Sequence, residues 1–118
     1  MTFAIDAAAP QPPFEQLRAQ VVAGALDGTL PAGTKLPTVR ALADELRLAP
    51  NTVARAYREL ETAGVIETRG RSGSFVALSQ DAAERSLQKA AAAYATQARS
   101  LGIDASRAQS YIDAALRG

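Results

Sequence analysis

The fold of this chain is decided by residues Thr38 to Val76, which have the sequence TVRALADELRLAPNTVARAYRELETAGVIETRGRSGSFV. The stretch predicts a helix, a tight turn, a second helix and a two-stranded ribbon with a basic tip, Gly70-Arg71-Ser72-Gly73. That order is typical of a winged helix-turn-helix, which places one helix in the major groove of DNA. We therefore predict a mainly α-helical fold with a small β-hairpin.

Capping signals place three helices in the first two-thirds of the chain. The first is predicted over Pro13–Asp27, with proline in its first turn. The second starts after Thr38, whose side-chain oxygen can cap a helix N-terminus. The third begins at Pro50, after the three-residue turn 47–49, and ends before Gly64.

The third helix carries the pattern expected of a DNA-recognition helix. With Val53, Ala56, Tyr57 and Leu60 on the inner face, the helical repeat puts Asn, Arg and Thr side chains on the opposite face. Asn and Arg pair bidentately with the edges of adenine and guanine. The DNA contacts predicted for this helix are Asn51, Thr52, Arg55 and Arg58.

The hairpin supplies a second candidate contact. Strand-like patterning covers residues 65–69 and 74–78, and the loop between them holds two arginines and two glycines. The predicted wing contacts are Arg69, Gly70, Arg71 and Ser72. Arg40, in the first turn of the second helix, and Lys35 before it are further candidates for phosphate contacts.

Composition excludes several other functions. The 118 residues include no Cys and no His, so disulfides, thiolate metal sites and the usual general base are excluded. Neither a set of catalytic residues nor a glycine-rich phosphate-binding loop is visible. We therefore expect a protein that has no enzymatic activity and binds no cofactor or metal. No apolar run is long enough to cross a membrane and no signal peptide is visible, which predicts a cytoplasmic protein without a membrane partner.

Net charge by itself does not indicate a nucleic-acid partner. The chain has 13 basic and 12 acidic side chains, a formal charge of +1. The prediction of a DNA partner therefore depends on where the charges lie.

The last third of the chain has a different pattern. We predict a long helix over Asp81–Leu101 and a final helix capped by Asp104, each with an apolar stripe. A two-helix hairpin buries two such stripes poorly by itself, so we predict a winged DNA-binding domain over residues 11–79 and a dimerisation region over 80–118. The predicted interface residues are Leu87, Tyr94, Leu101, Tyr111, Ile112 and Leu116. The alternative is that these stripes fold back on the winged domain.

The N-terminal residues leave two interpretations open. Phe3 and Ile5 alternate with small or polar neighbours in a stretch rich in Ala and Pro. A short strand and a disordered arm both fit this pattern.

Three runs carry a resemblance to a known family: PFEQLRAQVVAGALDGTLPAGTKLPTVRALADEL, LAPNTVARAYRELETAGVIETR and GRSGSFVAL. They resemble the DNA-binding domain of GntR-type transcriptional regulators over Gln11–Ser79. The short two-helix tail is similar to the YtrA-like branch, in which the tail mediates dimerisation. The MocR-like branch has similar runs, but it adds a large cofactor-dependent domain that this sequence does not contain.

Carried over by position, the resemblance implies a set of DNA contacts: Arg40, Asn51, Thr52, Arg55, Gly70 and Arg71. The chain departs from many relatives at Ala49, Pro50 and Ala54, where they have a polar residue, Arg and Arg. The operator preference is therefore not transferable, and we expect weaker binding through the third helix per subunit.

Together these observations predict a homodimeric, sequence-specific DNA-binding transcriptional regulator that recognises an inverted repeat, with repression favoured over activation. One alternative is a winged helix used as a protein-interaction module, which would show no salt-dependent affinity for DNA. Another is a non-specific architectural DNA binder, which would bind random duplexes equally well. A small effector could bind at a dimer interface, but no residue pattern requires one.

Overall fold

The computed structural model describes residues 2–118, which form two compact units, one reaching to Ala82 and the other comprising Ala83–Gly118. The elements are α1 (Pro13–Asp27), α2 (Val39–Leu46), α3 (Pro50–Thr62), β1 (Ile66–Thr68), β2 (Ser74–Val76), α4 (Gln80–Ser100) and α5 (Ala105–Arg117). A mainly helical chain with one antiparallel hairpin confirms the predicted fold class. The division of function between residues 11–79 and 80–118 stays a prediction.

The core of the first unit lies between α1, α2, α3 and the hairpin. Its fully buried large side chains are Leu17, Val21, Leu42, Val53, Leu60 and Val76. Complete burial of each such side chain contributes about 1.5–3 kcal/mol. The inward stripe predicted for α3 is confirmed, since Val53, Ala56, Tyr57 and Leu60 are all buried. Packing of this stripe leaves the opposite face of α3 to solvent.

Helix α2 is closed at both ends by specific hydrogen bonds. At its start, the hydroxyl oxygen of Thr38 accepts a 3.1 Å hydrogen bond from the Ala41 amide, as the capping signal predicts. At its end, Arg47 adopts the left-handed conformation, with φ 57° and ψ 44°. That reversal lets the Leu48 amide donate to the carbonyl oxygen of Ala43 at 2.9 Å, which closes the helix and directs the chain into α3.

The hairpin is shorter than predicted. β1 and β2 pair Ile66 with Val76 and Thr68 with Ser74, but regular pairing stops beyond these residues. Next to them, the carbonyl oxygen of Val65 accepts hydrogen bonds from two successive amides, those of residues 77 and 78, at 2.8 and 3.1 Å. Two donors on one acceptor break the alternating ladder, so the strand ends there. Upstream of the hairpin, Lys35 forms an isolated antiparallel bridge to Phe75.

The N-terminal arm takes neither of the two predicted forms. Phe3 is buried in the core, and α1 holds the backbone on either side of Ile5 through two glutamine side chains. The Gln20 amide accepts from the Ala4 amide at 3.0 Å and donates to the Ala4 carbonyl at 2.6 Å. Gln16 does the same for Asp6, at 2.8 and 2.9 Å. Side-chain amides thus satisfy the backbone groups that a neighbouring strand would otherwise pair.

In the second unit, α4 and α5 form a helical hairpin. α4 lies one residue upstream of its predicted bounds. The predicted cap of α5 is confirmed, because the Asp104 carboxylate accepts a 2.9 Å hydrogen bond from the Arg107 amide. The hydroxyl of Tyr94 on α4 donates a 2.7 Å hydrogen bond to the Ala108 carbonyl oxygen on α5. This bond joins the two helices, whose buried residues are Ala98 on α4 and Ala108 on α5.

Candidate nucleic-acid interface

The predicted recognition side chains lie on the outer face of α3 and are exposed to solvent. Asn51, Arg55, Arg58 and Thr62 are exposed, and Thr52 is half-buried in the first turn. Ala49 occupies the N-cap position without a side-chain hydrogen bond, as its apolar side chain requires. The first turn of α3 therefore has no side chain competing for its amide groups, which is compatible with an anionic ligand at this end of the helix.

Arg55 is not a free cation on this face. Its Nε atom lies 3.2 Å from the Oε2 atom of Glu59, one turn further along α3. Its Cζ atom lies 3.7 Å from the centre of the Phe14 ring, which α1 presents to α3. The side chain nevertheless remains 58% exposed. Arg55 is thus oriented by two contacts and still accessible.

The wing tip is built by a short 3-10 turn. Gly70–Ser72 form this turn, with the Ser72 amide donating to the Arg69 carbonyl oxygen at 2.9 Å. Gly70 has φ 50° and Gly73 φ 110°, conformations that favour glycine. A Cβ atom at Gly73 would also lie 3.1 Å from the Lys35 side chain. The two glycines therefore shape a tip on which Arg71 and Ser72 are exposed.

Arg69 at the base of the wing is held in the same way as Arg55. Its Nε atom donates to the Oε1 atom of Glu67 at 2.7 Å, and its Cζ atom lies 4.3 Å from the centre of the Phe75 ring. The side chain is 51% exposed. Glu59 and Glu67 thus each form an ion pair with an arginine of the candidate interface.

The remaining candidate cations have no ionic partner among residues 2–118. Arg40 is exposed in the first turn of α2, Arg58 on the outer face of α3 and Arg71 at the wing tip. Lys35 is exposed at the bridge to Phe75, where its side chain approaches the backbone of Gly73. The candidate contacts therefore include two kinds of cation, oriented arginines and unpaired ones.

Sequence reasoning missed the aromatic partners of the two oriented arginines. Neither Phe14 nor Phe75 is among the candidate functional residues that the sequence predicts. The spacing of Arg55 and Glu59 at i and i+4 is a local signal for their pairing. The two rings come from other elements, so only the packing of α1 against α3 and of β2 against β1 brings them to the arginines.

The predicted interface residues of the tail are largely uncovered. Exposed fractions are 73% for Leu87, 65% for Leu101, 48% for Tyr111, 36% for Ile112 and 82% for Leu116. Tyr94 is half-buried because it packs inside the hairpin and bonds to Ala108. A groove of about 490 Å³ lies between the two helices, and its lining includes several alanines, Ile103 and Ile112.

Other kinds of site are not apparent in the part of the chain that the structure describes. Within residues 2–118, no three His, Cys, Asp or Glu side chains come together as metal ligands. None of the helices in this range is long and apolar enough to cross a membrane.

Comparison with known proteins identifies the family of this chain. Residues 13–76 match the family model described as bacterial regulatory proteins, gntR family. The chain belongs to the GntR family. This GntR-family chain is thus a transcriptional regulator with a DNA-binding domain, as the resemblance of its sequence implied.

Individual relatives are similar over different lengths. The chain is 50% identical to the HTH-type transcriptional regulator Rv1152 of Mycobacterium tuberculosis over 92% of this chain and 88% of that protein. It is 42% identical to the HTH-type transcriptional repressor YtrA of Bacillus subtilis over 61% of this chain, which spans 55% of that protein.

A solved structure supports the same assignment. YtrA from Sulfolobus acidocaldarius, a GntR-family transcription factor, superposes with a TM-score of 0.61 at 28% identity, over 76% of this chain and 97% of that one. The predicted similarity to YtrA-type regulators is confirmed.

Proposed function

We propose that this GntR-family regulator binds an inverted-repeat operator as a homodimer and represses transcription from it. The observation that carries the proposal is the set of exposed cations without an ionic partner among the described residues: Lys35, Arg40, Arg58 and Arg71. Such side chains can neutralise phosphates without first breaking an ion pair, and each contact releases condensed counterions from DNA.

Sequence preference comes from the outer face of α3. Asn51 and Arg55 present the side chains that match adenine and guanine edges, and Thr52 adds a hydroxyl in the first turn. On the wing, Arg69, Gly70 and Ser72 complete the proposed contact set beside Arg71. Base contacts from α3 set the operator sequence, whereas the wing and Arg40 fix the orientation of the domain on the duplex.

Dimerisation through the tail is supported by the exposed apolar side chains of α4 and α5. Leu87, Leu101 and Leu116 are each more than half exposed, which is costly for a chain that remains monomeric. A two-fold axis through this region would bury both copies of the stripe and present two identical recognition helices. Half-sites about 10 base pairs apart would then form the operator.

Repression is supported by the similarity to the Bacillus subtilis repressor YtrA. With DNA as its partner, the proposed regulator acts in the cytoplasm.

The test is selection of bound duplexes from a random pool, followed by measurement of affinity against salt concentration. We expect an inverted repeat, two chains per duplex and a steep fall of affinity with salt. Equal affinity for the selected and random duplexes would favour an architectural role. No salt-dependent affinity at all would favour a protein-interaction module.

A further inference from the structure

Arg55 is the one arginine on the outer face of α3 that the protein holds from two sides. Arg58, on the same face, has no ionic partner within the described residues. Arg55 by contrast lies on the Phe14 ring at 3.7 Å and donates through Nε to Glu59 at 3.2 Å. One contact comes from α1 and the other from α3, so the position of this side chain depends on the tertiary fold.

The contacts of Arg55 leave the outer edge of its guanidinium group available to bind a ligand. Glu59 uses only the Nε donor of Arg55, and neither terminal nitrogen has a hydrogen-bond partner among residues 2–118. Those two nitrogens form the fork that pairs with O6 and N7 of guanine. Stacking on the Phe14 ring restricts the plane in which this fork lies.

We propose that Phe14 and Glu59 are positioning residues that hold Arg55 in place to read a base. The proposal rests on the function proposed above, and it assigns specificity to two side chains that need not touch DNA. A long arginine side chain loses rotamer freedom when it binds, and orienting it beforehand removes part of that loss. The expected gain is about 3- to 10-fold in preference for the correct base.

The negative charge of Glu59 acts in the same direction. Its carboxylate is 43% exposed on a helix that faces a polyanion, so it opposes phosphates wherever the base contact is not made. With the correct base, the fork of Arg55 compensates for that repulsion. With a wrong base, the repulsion remains. Glu59 therefore favours binding to specific duplexes in two ways: it orients Arg55, and it weakens binding to random duplexes.

The test compares four single variants of the full chain on the selected operator and on random duplexes, together with Arg55→Ala and two double variants in that background. Glu59→Gln removes the charge, Phe14→Leu removes the ring at similar volume, and Phe14→Tyr keeps the ring. Glu61→Gln is the matched control, because it removes the same charge from α3. The Glu61 carboxylate accepts a hydrogen bond from the Thr68 hydroxyl and, within residues 2–118, does not pair with an arginine. Thermal unfolding followed by circular dichroism identifies variants that lose the fold.

We expect Glu59→Gln and Phe14→Leu to lower the ratio of specific to random affinity about 3- to 10-fold and to relax selection at one base position per half-site. Phe14→Tyr should keep that selection. Glu61→Gln should raise affinity for random duplexes, as Glu59→Gln does, and leave base selection intact. In an Arg55→Ala background, Glu59→Gln and Phe14→Leu should have no further effect on base selection, because the residue that they position is gone.

Three results would overturn the inference. Unchanged base selection in folded Glu59→Gln and Phe14→Leu would make Phe14 and Glu59 structural only. Effects that persist in the Arg55→Ala background would show that they act through another residue. Normal base selection in Arg55→Ala would mean that Arg55 reads no base, while the proposed regulator would stand. Failure of the unaltered protein to select any duplex would instead refute the proposed function.

Discussion

The hydroxyl of Tyr57 on α3 donates a 2.7 Å hydrogen bond to the carbonyl oxygen of Pro37, the residue before the cap of α2. The bond ties the middle of the recognition helix to the start of the helix-turn-helix. The Tyr57 ring is buried in the core between them. The orientation of α3 relative to α2 therefore depends on a polar contact inside an otherwise apolar core.

Tyr57→Phe should lower the free energy of unfolding by about 1 kcal/mol at neutral pH, since it leaves the Pro37 carbonyl without its donor. Urea titration followed by circular dichroism would measure the change. An unaltered midpoint would mean that water replaces the hydroxyl at no cost.

The same side chain should make stability depend on pH at the alkaline end. Burial raises the pKa of Tyr57 from 10.0 to about 12. Between these values the unfolded chain has lost the proton and the folded chain keeps it, so the stabilising contribution is complete below pH 10 and is lost as pH rises toward 12. A shift of this size corresponds to about 2–3 kcal/mol.

The measurement is the difference in unfolding free energy between the unaltered protein and Tyr57→Phe, followed from pH 9 to pH 12. Other groups titrate in both proteins and cancel in the difference. The unaltered protein should be the more stable of the two at pH 9 and the less stable at pH 12. A constant difference would contradict the assignment of the pKa shift to Tyr57.

Arg47→Gly should stabilise the first unit by up to about 1 kcal/mol. Arg47 has φ 57° at the end of α2, a conformation that costs a residue with a Cβ atom more than glycine. Arg47→Ala is the matched control, because it removes the charge and keeps the Cβ atom, and it should not reproduce the gain. If both variants are less stable than the unaltered protein, the arginine side chain itself contributes a contact.

Arg71→Ala should weaken binding to specific and random duplexes alike. Arg71 is exposed at the wing tip without an ionic partner in the described chain, which suits a phosphate contact that contains no sequence information. The slope of log affinity against log salt should flatten by about one unit per subunit. Arg117→Ala removes the same charge from the last turn of α5 and should leave the slope unchanged. A loss confined to the specific duplex would indicate that the wing reads a groove.

Leu116→Glu should dissociate the proposed dimer while leaving the fold intact. Leu116 is 82% exposed, so a charged side chain there costs the monomer little, but across an isologous interface it places two carboxylates near each other. Sedimentation at micromolar concentration should show a dimer for the unaltered protein and a monomer for the variant. Ser110→Glu, also exposed on α5, is the control and should remain dimeric. A monomeric unaltered protein would refute the dimer itself.

Local signals in the sequence were sufficient for the order of elements. Pro13, Thr38, Pro50 and Asp104 mark helix starts that the structure reproduces, since a cap or an initial proline acts within one turn of the chain. The inward stripe of α3 was equally readable, because helical periodicity places those side chains on one face. The pairing of Arg55 with Glu59 belongs to the same class, as both lie on one helix.

The tertiary structure alone decided the features that join distant parts of the chain. Phe14 beneath Arg55 and the glutamine side chains that hold the N-terminal arm depend on how α1 packs against α3 and against the arm. The Tyr57 bond to Pro37 is of the same kind. Periodicity and capping act over a few residues, whereas these contacts require the backbone to close long loops first, and no local pattern encodes which side chains then meet.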